Sequence, residues 1–328
     1  MTGFVERQRA GVLLVAGAVL WLSGCTSQSV SSGSGPSVGV AMDEMSPPVL
    51  VDTVPAHQYT TRLGRRLEQR GSFAVDHSIR AQAFNERVRF LIVHYTDGND
   101  ASALRALTGS DVSVHYLVLD HPARWAGQPV VLQLLDEKQR AWHAGVSQWG
   151  DRHHLNDTSI GIEIVNEGYH ETPAGRVWSP FSEDQIELVI RLAQDIVRRY
   201  HIDPAHVLAH GDVAPGRKVD PGPFFPWRRL HEAGIGAWPR PSAVMRWRER
   251  FQQHQPDGAL MHRALAAWGY AVPDSHDAQA LQPVIRAFQL HFRPTEARGV
   301  IDTDTAARLF ALIERYQGRA TAMALLEA

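Results

Sequence analysis

The run His210-Gly211-Asp212-Val213-Ala214-Pro215-Gly216-Arg217-Lys218-Val219-Asp220-Pro221-Gly222-Pro223 sets an imidazole and a carboxylate ten positions apart, with a lysine just before the carboxylate. Pro215 and Pro221 each remove a backbone donor and clash with a preceding helical turn, so the segment reads as a loop. Folded back on itself, such a loop can bring His210 and Asp220 onto one cation. An imidazole with a carboxylate is a common pair for zinc, and one further protein ligand leaves a coordination position open for water. The lysine carries information as well. Of 33 basic residues only Lys138 and Lys218 are lysines, so a lysine in this loop suggests a role for a compact ammonium rather than a guanidinium.

Elements that could position this loop lie upstream. Arg89-Phe90-Leu91-Ile92-Val93-His94-Tyr95-Thr96 begins as a buried strand and ends on a histidine, followed by the turn signal Asp97-Gly98. A histidine so placed can face a cleft at the sheet edge; taken alone, it is more often a packed or surface histidine. Val112–Leu119, with His115 inside it, and Val130–Leu135 are further strand candidates, and Ala141-Trp142-His143-Ala144-Gly145 follows a polar turn. Ser159–Asn166 alternates, placing Gly161 and Glu163 on one face and Ile160, Ile162 and Ile164 on the other. Glu163 is then either an exposed edge residue or a placed acid/base, and the pattern leaves both open. Ser182-Glu183-Asp184-Gln185 is a capping box. It opens a helix whose apolar set Ile186, Val189, Ile190, Ala193, Ile196 and Val197 has helical spacing. Asp203-Pro204 breaks the helix, and Val207–His210 returns as a strand. Alternating strands and helices imply an α/β domain with a central mixed sheet flanked by helices.

The segments FLIVHYT, VSVHYLV, AWHAG, NDTSIGIEIVN and HGDVAPGRKVDPGPFFPW, in this order, closely resemble the zinc-dependent N-acetylmuramoyl-L-alanine amidases. Their fold is shared with peptidoglycan recognition proteins and phage lysozyme-type amidases. Position by position, the resemblance implies His94, His210 and Asp220 as ligands of one zinc ion per chain. It implies Glu163 as the catalytic carboxylate, Lys218 as the residue that stabilises the transition state, and Tyr95 and Thr96 as substrate-site residues. The implied chemistry is hydrolysis of the amide between N-acetylmuramic acid and L-alanine in peptidoglycan or muropeptides. Zinc would lower the pKa of its water toward roughly 7, with Glu163 as general base. His115 and His143 recur in these motifs without being ligands; they read as supports behind the ligands or as cleft-wall residues. His153-His154 reads as a solvated loop, and Asp212 as a residue that orders the loop through backbone donors.

Two rivals come from other classes. One is a non-catalytic recognition protein binding muropeptides on the same fold, against which the intact ligand set argues. The other is a zinc peptidase cutting within the stem peptide.

Past Trp247 the pattern changes. Leu260, Leu265, Trp268, Gly269 and Tyr270 form one amphipathic group, Val284–Phe292 a second, and a third, capped by Thr303, carries Ala307, Leu309, Leu312 and Ile313. LAAWGY, IRAFQLHF and GVIDTDTAARL resemble the peptidoglycan-binding three-helix domain, which would raise local substrate concentration by linkage.

At the N-terminus, Arg7 and Arg9 precede an apolar stretch from Gly11 to Leu22, too short for an ordinary membrane span, ending in Leu22-Ser23-Gly24-Cys25. Cys25 is the only cysteine, so no internal disulfide forms. The four residues resemble a bacterial lipobox, which implies a lipidated (palmitate-bearing) Cys25. Thr26 rather than aspartate follows, implying an outer-membrane anchor facing the periplasm of a Gram-negative cell. The expected organisation is a signal peptide at 1–24, a flexible linker at 25–57, an amidase domain at 58–248 and a peptidoglycan-binding domain at 255–317. Formal net charge is −2 and no basic block is interleaved with aromatics, which argues against nucleic acid as a partner. A monomer whose partners are muropeptides and, through its lipid, a membrane is the resulting expectation.

Overall fold

The computed structural model describes residues 50–51, 67–77, 81–83, 87–173 and 175–327. Residues 1–24, Cys25 and all of the expected linker at 25–57 except Leu50 and Val51 lie outside them. The chain divides into two units, Met1–Gln82 and Ala83–Ala328. Within the first, β1 (Leu50–Val51), β2 (Leu67–Arg70) and β3 (Phe73–Asp76) form an antiparallel sheet in that order. Among the described residues no helix is long and apolar enough to cross a membrane.

In the second unit the strands are β4 (Phe90–Tyr95), β5 (Tyr116–Val118), β6 (Arg124–Trp125), β7 (Gln128–Pro129), β8 (Leu132–Gln133), β9 (Gln148–Trp149), β10 (Arg152–His153), β11 (Ser159–Ile164), β12 (Tyr169–Thr172), β13 (Gly175–Trp178) and β14 (Val207–Ala209). Five of them build the main sheet in the order β14-β4-β11-β5-β8, parallel except for β8. The others pair as short ribbons. Helices α1 (Asp100–Leu107), α2 (Glu183–Tyr200), α3 (His210–Val213) and α4 (Trp227–Glu232) accompany the sheet. Then come α5 (Pro241–Gln253), α6 (Gly258–Trp268), α7 (Ala278–Phe292), α8 (Thr303–Tyr316) and α9 (Arg319–Glu327). This is the mixed sheet flanked by helices that the strand–helix alternation implied.

A central parallel strand must bury both faces, and β4 does so with alternating residues. Leu91 and Val93, with Ile160, Ile162 and Ile164 of β11, pack against Ile186, Val189, Ala193 and Ile196 of α2. Phe90 and Ile92 point the other way and join one apolar cluster with Trp247, Phe251, Leu265, Phe288 and Leu312 from α5 to α8. The sheet and the C-terminal helices therefore share a core. The start of α2 is held as its sequence suggests: the Gln185 amide donates to Ser182 Oγ, and the Ser182 amide donates to Gln185 Oε1. Gln185 also ties the helix to the sheet, its Nε2 donating to the Val165 carbonyl at 2.7 Å. At α8 the expected cap is displaced by one residue. Asp302, not Thr303, is the N-cap, its carboxylate accepting from the Thr305 amide at 2.8 Å. A carboxylate satisfies the same orphan donor and adds a favourable charge at the helix start.

Glu137 fastens the β5 side of the sheet to α2. It accepts from Tyr116 Oη at 2.7 Å, Tyr200 Oη at 2.8 Å and Arg199 Nη2 at 2.7 Å. Partial burial by itself raises its pKa, but the Arg199 and tyrosine hydrogen bonds outweigh that and bring it down from 4.5 to about 2. A depressed carboxylate pKa gives stability that is complete above the unfolded value and lost as pH falls through the folded one. The urea midpoint is therefore expected to fall on acidification from pH 4.5 to about 2. Glu137→Gln should flatten that part of the curve; an unchanged acid limb would show that other carboxylates govern it.

Candidate metal centre

Register builds the site. Glu163 of β11 pairs with His94 of β4, and Ala209 of β14 pairs with Val93. His210, one step beyond Ala209, thus falls in the same row as His94 and Glu163, across the C-terminal ends of three neighbouring parallel strands. Side chains in one register row of a parallel sheet share a face. Asp220 returns to this row because the loop after α3 folds back: the Gly211 amide donates to the Asp220 carbonyl at 3.0 Å, and Lys218 and Arg217 amides both donate to Ala214. Gly216 and Gly222 take positive φ (78° and 77°) at the bends, where a side chain would be strained.

His94 Nδ1, His210 Nδ1 and Asp220 Oδ2 form a triangle with edges of 3.0, 3.1 and 3.3 Å, and all three residues are buried. The surrounding hydrogen bonds assign their protons. Ser159 Oγ donates to the Leu155 carbonyl at 2.6 Å, so it accepts from His143 Nε2 at 3.1 Å. His143 Nδ1 is then an acceptor and takes the His94 Nε2 proton at 2.9 Å. His210 Nε2 donates to the Ala144 carbonyl at 3.3 Å. Both Nδ1 atoms are left as lone pairs, facing each other and a carboxylate oxygen. Burial and the neighbouring His210 bring the His94 pKa down to about 4, so that ring stays neutral at neutral pH. Burial raises the Asp220 carboxyl, but His210 and His94 more than offset this and hold it well below the usual range.

Three converging acceptors suit a shared cation. A tetrahedral zinc site with bonds of about 2.0–2.1 Å has ligand–ligand edges of about 3.3 Å, close to the edges seen here. Donor types, protonation and spacing all fit.

Beside the triangle opens a cleft of about 430 Å³, lined by Tyr95, Thr96, Trp142, Glu163, Tyr169 and Lys218 among others. The Glu163 carboxyl has its pKa raised well above the ordinary value, by burial first and the Asp220 charge second, with Lys218 opposing. The exposed Lys218 ammonium is thus within electrostatic reach of both Glu163 and His94. The Tyr95 ring meets Trp178 edge-on at 6.5 Å. The Thr96 hydroxyl is committed to backbone, donating to the Gly98 carbonyl at 3.1 Å and accepting from the Asn166 amide at 3.2 Å. His115 stands behind the cleft, its Nδ1 accepting from the Gly161 amide at 3.1 Å, while His153 and His154 are exposed. Gly161 has no alternative: a Cβ there would come within 2.8 Å of the His143 ring.

Sequence reasoning missed two features. Trp142 is 53% exposed at the cleft, an uncommon position for so large an apolar surface, and only its neighbour His143 drew attention. The second is the anchoring of Asp212, which is fully buried. Its carboxylate accepts from the Ala209 amide at 2.8 Å, as a backbone-ordering role requires, and also from Tyr270 Oη at 2.6 Å and His291 Nδ1 at 2.7 Å. These partners lie 58 and 79 residues further along, on the C-terminal helical region, so no local pattern signals them. The ligand-bearing loop is thereby clamped from the far side.

Residues 84–223 match the family described as N-acetylmuramoyl-L-alanine amidase. The chain is 43% identical over 249 residues to the N-acetylmuramoyl-L-alanine amidase AmiD of Escherichia coli (strain K12), covering 76% of this chain and 90% of that protein. The structure of E. coli AmiD in complex with anhydro-N-acetylmuramic acid-L-Ala-D-gamma-Glu-L-Lys superposes with a TM-score of 0.72 at 41% identity, covering 77% of this chain and 98% of that one. AmpDh3 from Pseudomonas aeruginosa in complex with anhydromuramic pentapeptide gives a TM-score of 0.68 at 41% identity, covering 73% and 97%.

The proton chain through His143 has a measurable consequence. Removing the acceptor behind a ligating imidazole frees its tautomer and typically lowers metal affinity about 10–100-fold. His143→Ala should show a loss in that range in a zinc competition titration, with Ser159→Ala giving a smaller loss in the same direction. Unchanged affinity in both variants would show that the ring orientation is set by packing alone.

Proposed function

The chain belongs to the N-acetylmuramoyl-L-alanine amidase family and hydrolyses the amide between N-acetylmuramic acid and L-alanine; we propose that it does so with one zinc ion held by His94, His210 and Asp220. The observation that carries this reading is the buried triangle of lone-pair atoms in one register row with Glu163. A zinc ion bound there supplies an acidified water and a Lewis acid for the carbonyl. Everything else is asked of the chain's own groups. Glu163 takes a proton from the attacking water and delivers one to the departing amine of L-alanine. Its raised pKa suits a group that must both accept and return a proton near neutrality. The Lys218 ammonium faces the charge that develops on the carbonyl oxygen, where electrostatic stabilisation is worth most. Tyr95 and Trp142 form apolar cleft walls for the substrate, and Thr96 ties the backbone just after Tyr95 to Gly98 and Asn166.

The solved relatives hold anhydromuramic peptides, and we extend that substrate class, in cell-wall recycling, to this chain. We further propose the organisation read from the sequence: a lipidated Cys25 after a cleaved signal peptide, a linker, and a monomeric amidase with a peptidoglycan-binding helical module at 255–317. The cell address that follows is the periplasmic face of the outer membrane.

Two measurements test these readings. Muropeptides incubated with the zinc-loaded protein should release free stem peptides beginning with L-alanine, detected by mass spectrometry. Glu163→Gln should lower that rate by about 10²–10⁴-fold while retaining zinc; cleavage inside the stem peptide, or full activity of the variant, would sink the assignment. For the anchor, Cys25→Ser should move the protein from the membrane to the soluble fraction of the cell. Retention in the membrane fraction would rule out lipid at Cys25 as the tether.

A further inference from the structure

The metal centre has two imidazole ligands, and one dipeptide orients both. His94 Nε2 donates to the His143 ring, and His210 Nε2 donates to the carbonyl of the next residue, Ala144. Whatever holds His143 and Ala144 therefore acts on both ligands at once. At its carbonyl end the dipeptide is tied to the loop that carries Asp220. Arg217 Nη2 donates to the Ala144 carbonyl at 2.9 Å and to the Val146 carbonyl at 2.7 Å. Gly145 lies between them at a positive φ of 60°.

At the amide end the holder is Asn156. The His143 and Ala144 amides both donate to Asn156 Oδ1, at 3.2 and 2.8 Å. Two donors on one atom settle which end of the carboxamide faces them, because only its oxygen accepts. Each peptide unit is planar, so anchoring these two amides fixes the backbone on either side of the His143 Cα. The direction in which the His143 ring leaves the chain is fixed with it. Asn156 is buried, the middle residue of a single 3-10 turn, Leu155–Asp157, that leads into β11. Leu155 fills the apolar cluster and its amide donates to Ser147 Oγ at 3.0 Å, which seats the turn. The run Asn156-Asp157-Thr158-Ser159 thus supplies two supports: Ser159 for the His143 ring and Asn156 for its backbone. Both line a small cavity of about 140 Å³ that shares no residue with the catalytic cleft. A residue so placed acts on the reaction through the dipeptide and not through the substrate.

We propose that Asn156 is a positioning residue of the amidase, setting the direction of both zinc-binding imidazoles through the His143-Ala144 backbone. The proposal rests on the reading of His94, His210 and Asp220 as ligands of one zinc ion. A buried amide pair needs an acceptor for folding alone. The positioning role goes further, because it ties that acceptor to metal affinity and geometry.

Full-length wild type and its Asn156→Ala, Asn156→Gln and Asn156→Asp variants are compared in four measurements. These are a zinc competition titration, the visible absorption of the cobalt-loaded forms, kcat and KM on muropeptides at saturating zinc, and melting of the metal-free forms. Asn156→Ala removes the acceptor and should weaken zinc binding about 10–100-fold, the usual effect of losing a partner behind a ligand. Its cobalt spectrum should shift, and its kcat should fall about tenfold with KM unchanged. Asn156→Gln displaces the acceptor by one methylene without emptying the site, and should give the same changes even where the alanine variant does not fold. Asn156→Asp keeps an oxygen in the same place and should restore affinity, spectrum and kcat. Suppose instead that the alanine and glutamine variants melt lower yet match wild type in zinc affinity, spectrum and kcat. Asn156 then serves the fold alone, and the proposal is overturned. A raised KM with unchanged zinc affinity would overturn it in favour of a substrate contact. A wild-type protein that binds no zinc would show that the metal reading itself fails, and the proposal with it.

Discussion

Two imidazole nitrogens and a carboxylate oxygen, each within 3.3 Å of the others and each presenting a lone pair, repel one another in a site from which water is largely excluded. A shared cation turns that repulsion into binding energy, because desolvated ligands of the right charge have already met the cost of leaving water. The rest of the second unit is arranged around this constraint. The His94 proton is fixed through His143 and Ser159, and the His210 proton is fixed on the Ala144 carbonyl. With both rings oriented from behind, the ligand atoms have no alternative direction in which to point.

The scaffold supplies position in two ways. Parallel strands put His94, His210 and Glu163 in one row because hydrogen-bonded register leaves no freedom along the strand. The loop bearing Asp220 has no such ladder, and its geometry is held by backbone bonds from Gly211, Arg217 and Lys218 together with the clamp on Asp212. That clamp comes from Tyr270 and His291, so the C-terminal helices are structural parts of the catalytic loop as well as a neighbouring module. The shared apolar cluster running from Phe90 and Ile92 into Phe288 and Leu312 makes the same point energetically.

Charge is distributed unevenly between the two cavities. The catalytic cleft concentrates carboxylates and imidazoles with a single ammonium, an environment for proton transfer beside a cation. The larger cavity, of about 820 Å³ between α4, α5, α7 and α8, is lined by six arginines, of which Arg228, Arg248 and Arg293 are paired with carboxylates and Arg315 with the Trp238 carbonyl.

Much of this was legible in the sequence because it was local. The capping box at Ser182, the alternation that sends Ile160, Ile162 and Ile164 toward α2, and the buried strand that carries His94 near its C-terminal end are written in spacings of a few residues, where side-chain periodicity and backbone geometry dictate the outcome. The loop from His210 to Pro223 announced a metal site through residue type alone, and the family resemblance supplied roles for Glu163 and Lys218 that periodicity could not. Tertiary structure decided the rest. Strand order put three distant residues in one row, the hydrogen-bond chain chose the tautomers, and Tyr270 and His291 reached Asp212 across 58 and 79 residues. Only the folded chain shows which side chains find partners, because solvation and pairing are properties of the neighbours that packing assembles, which sequence spacing does not encode.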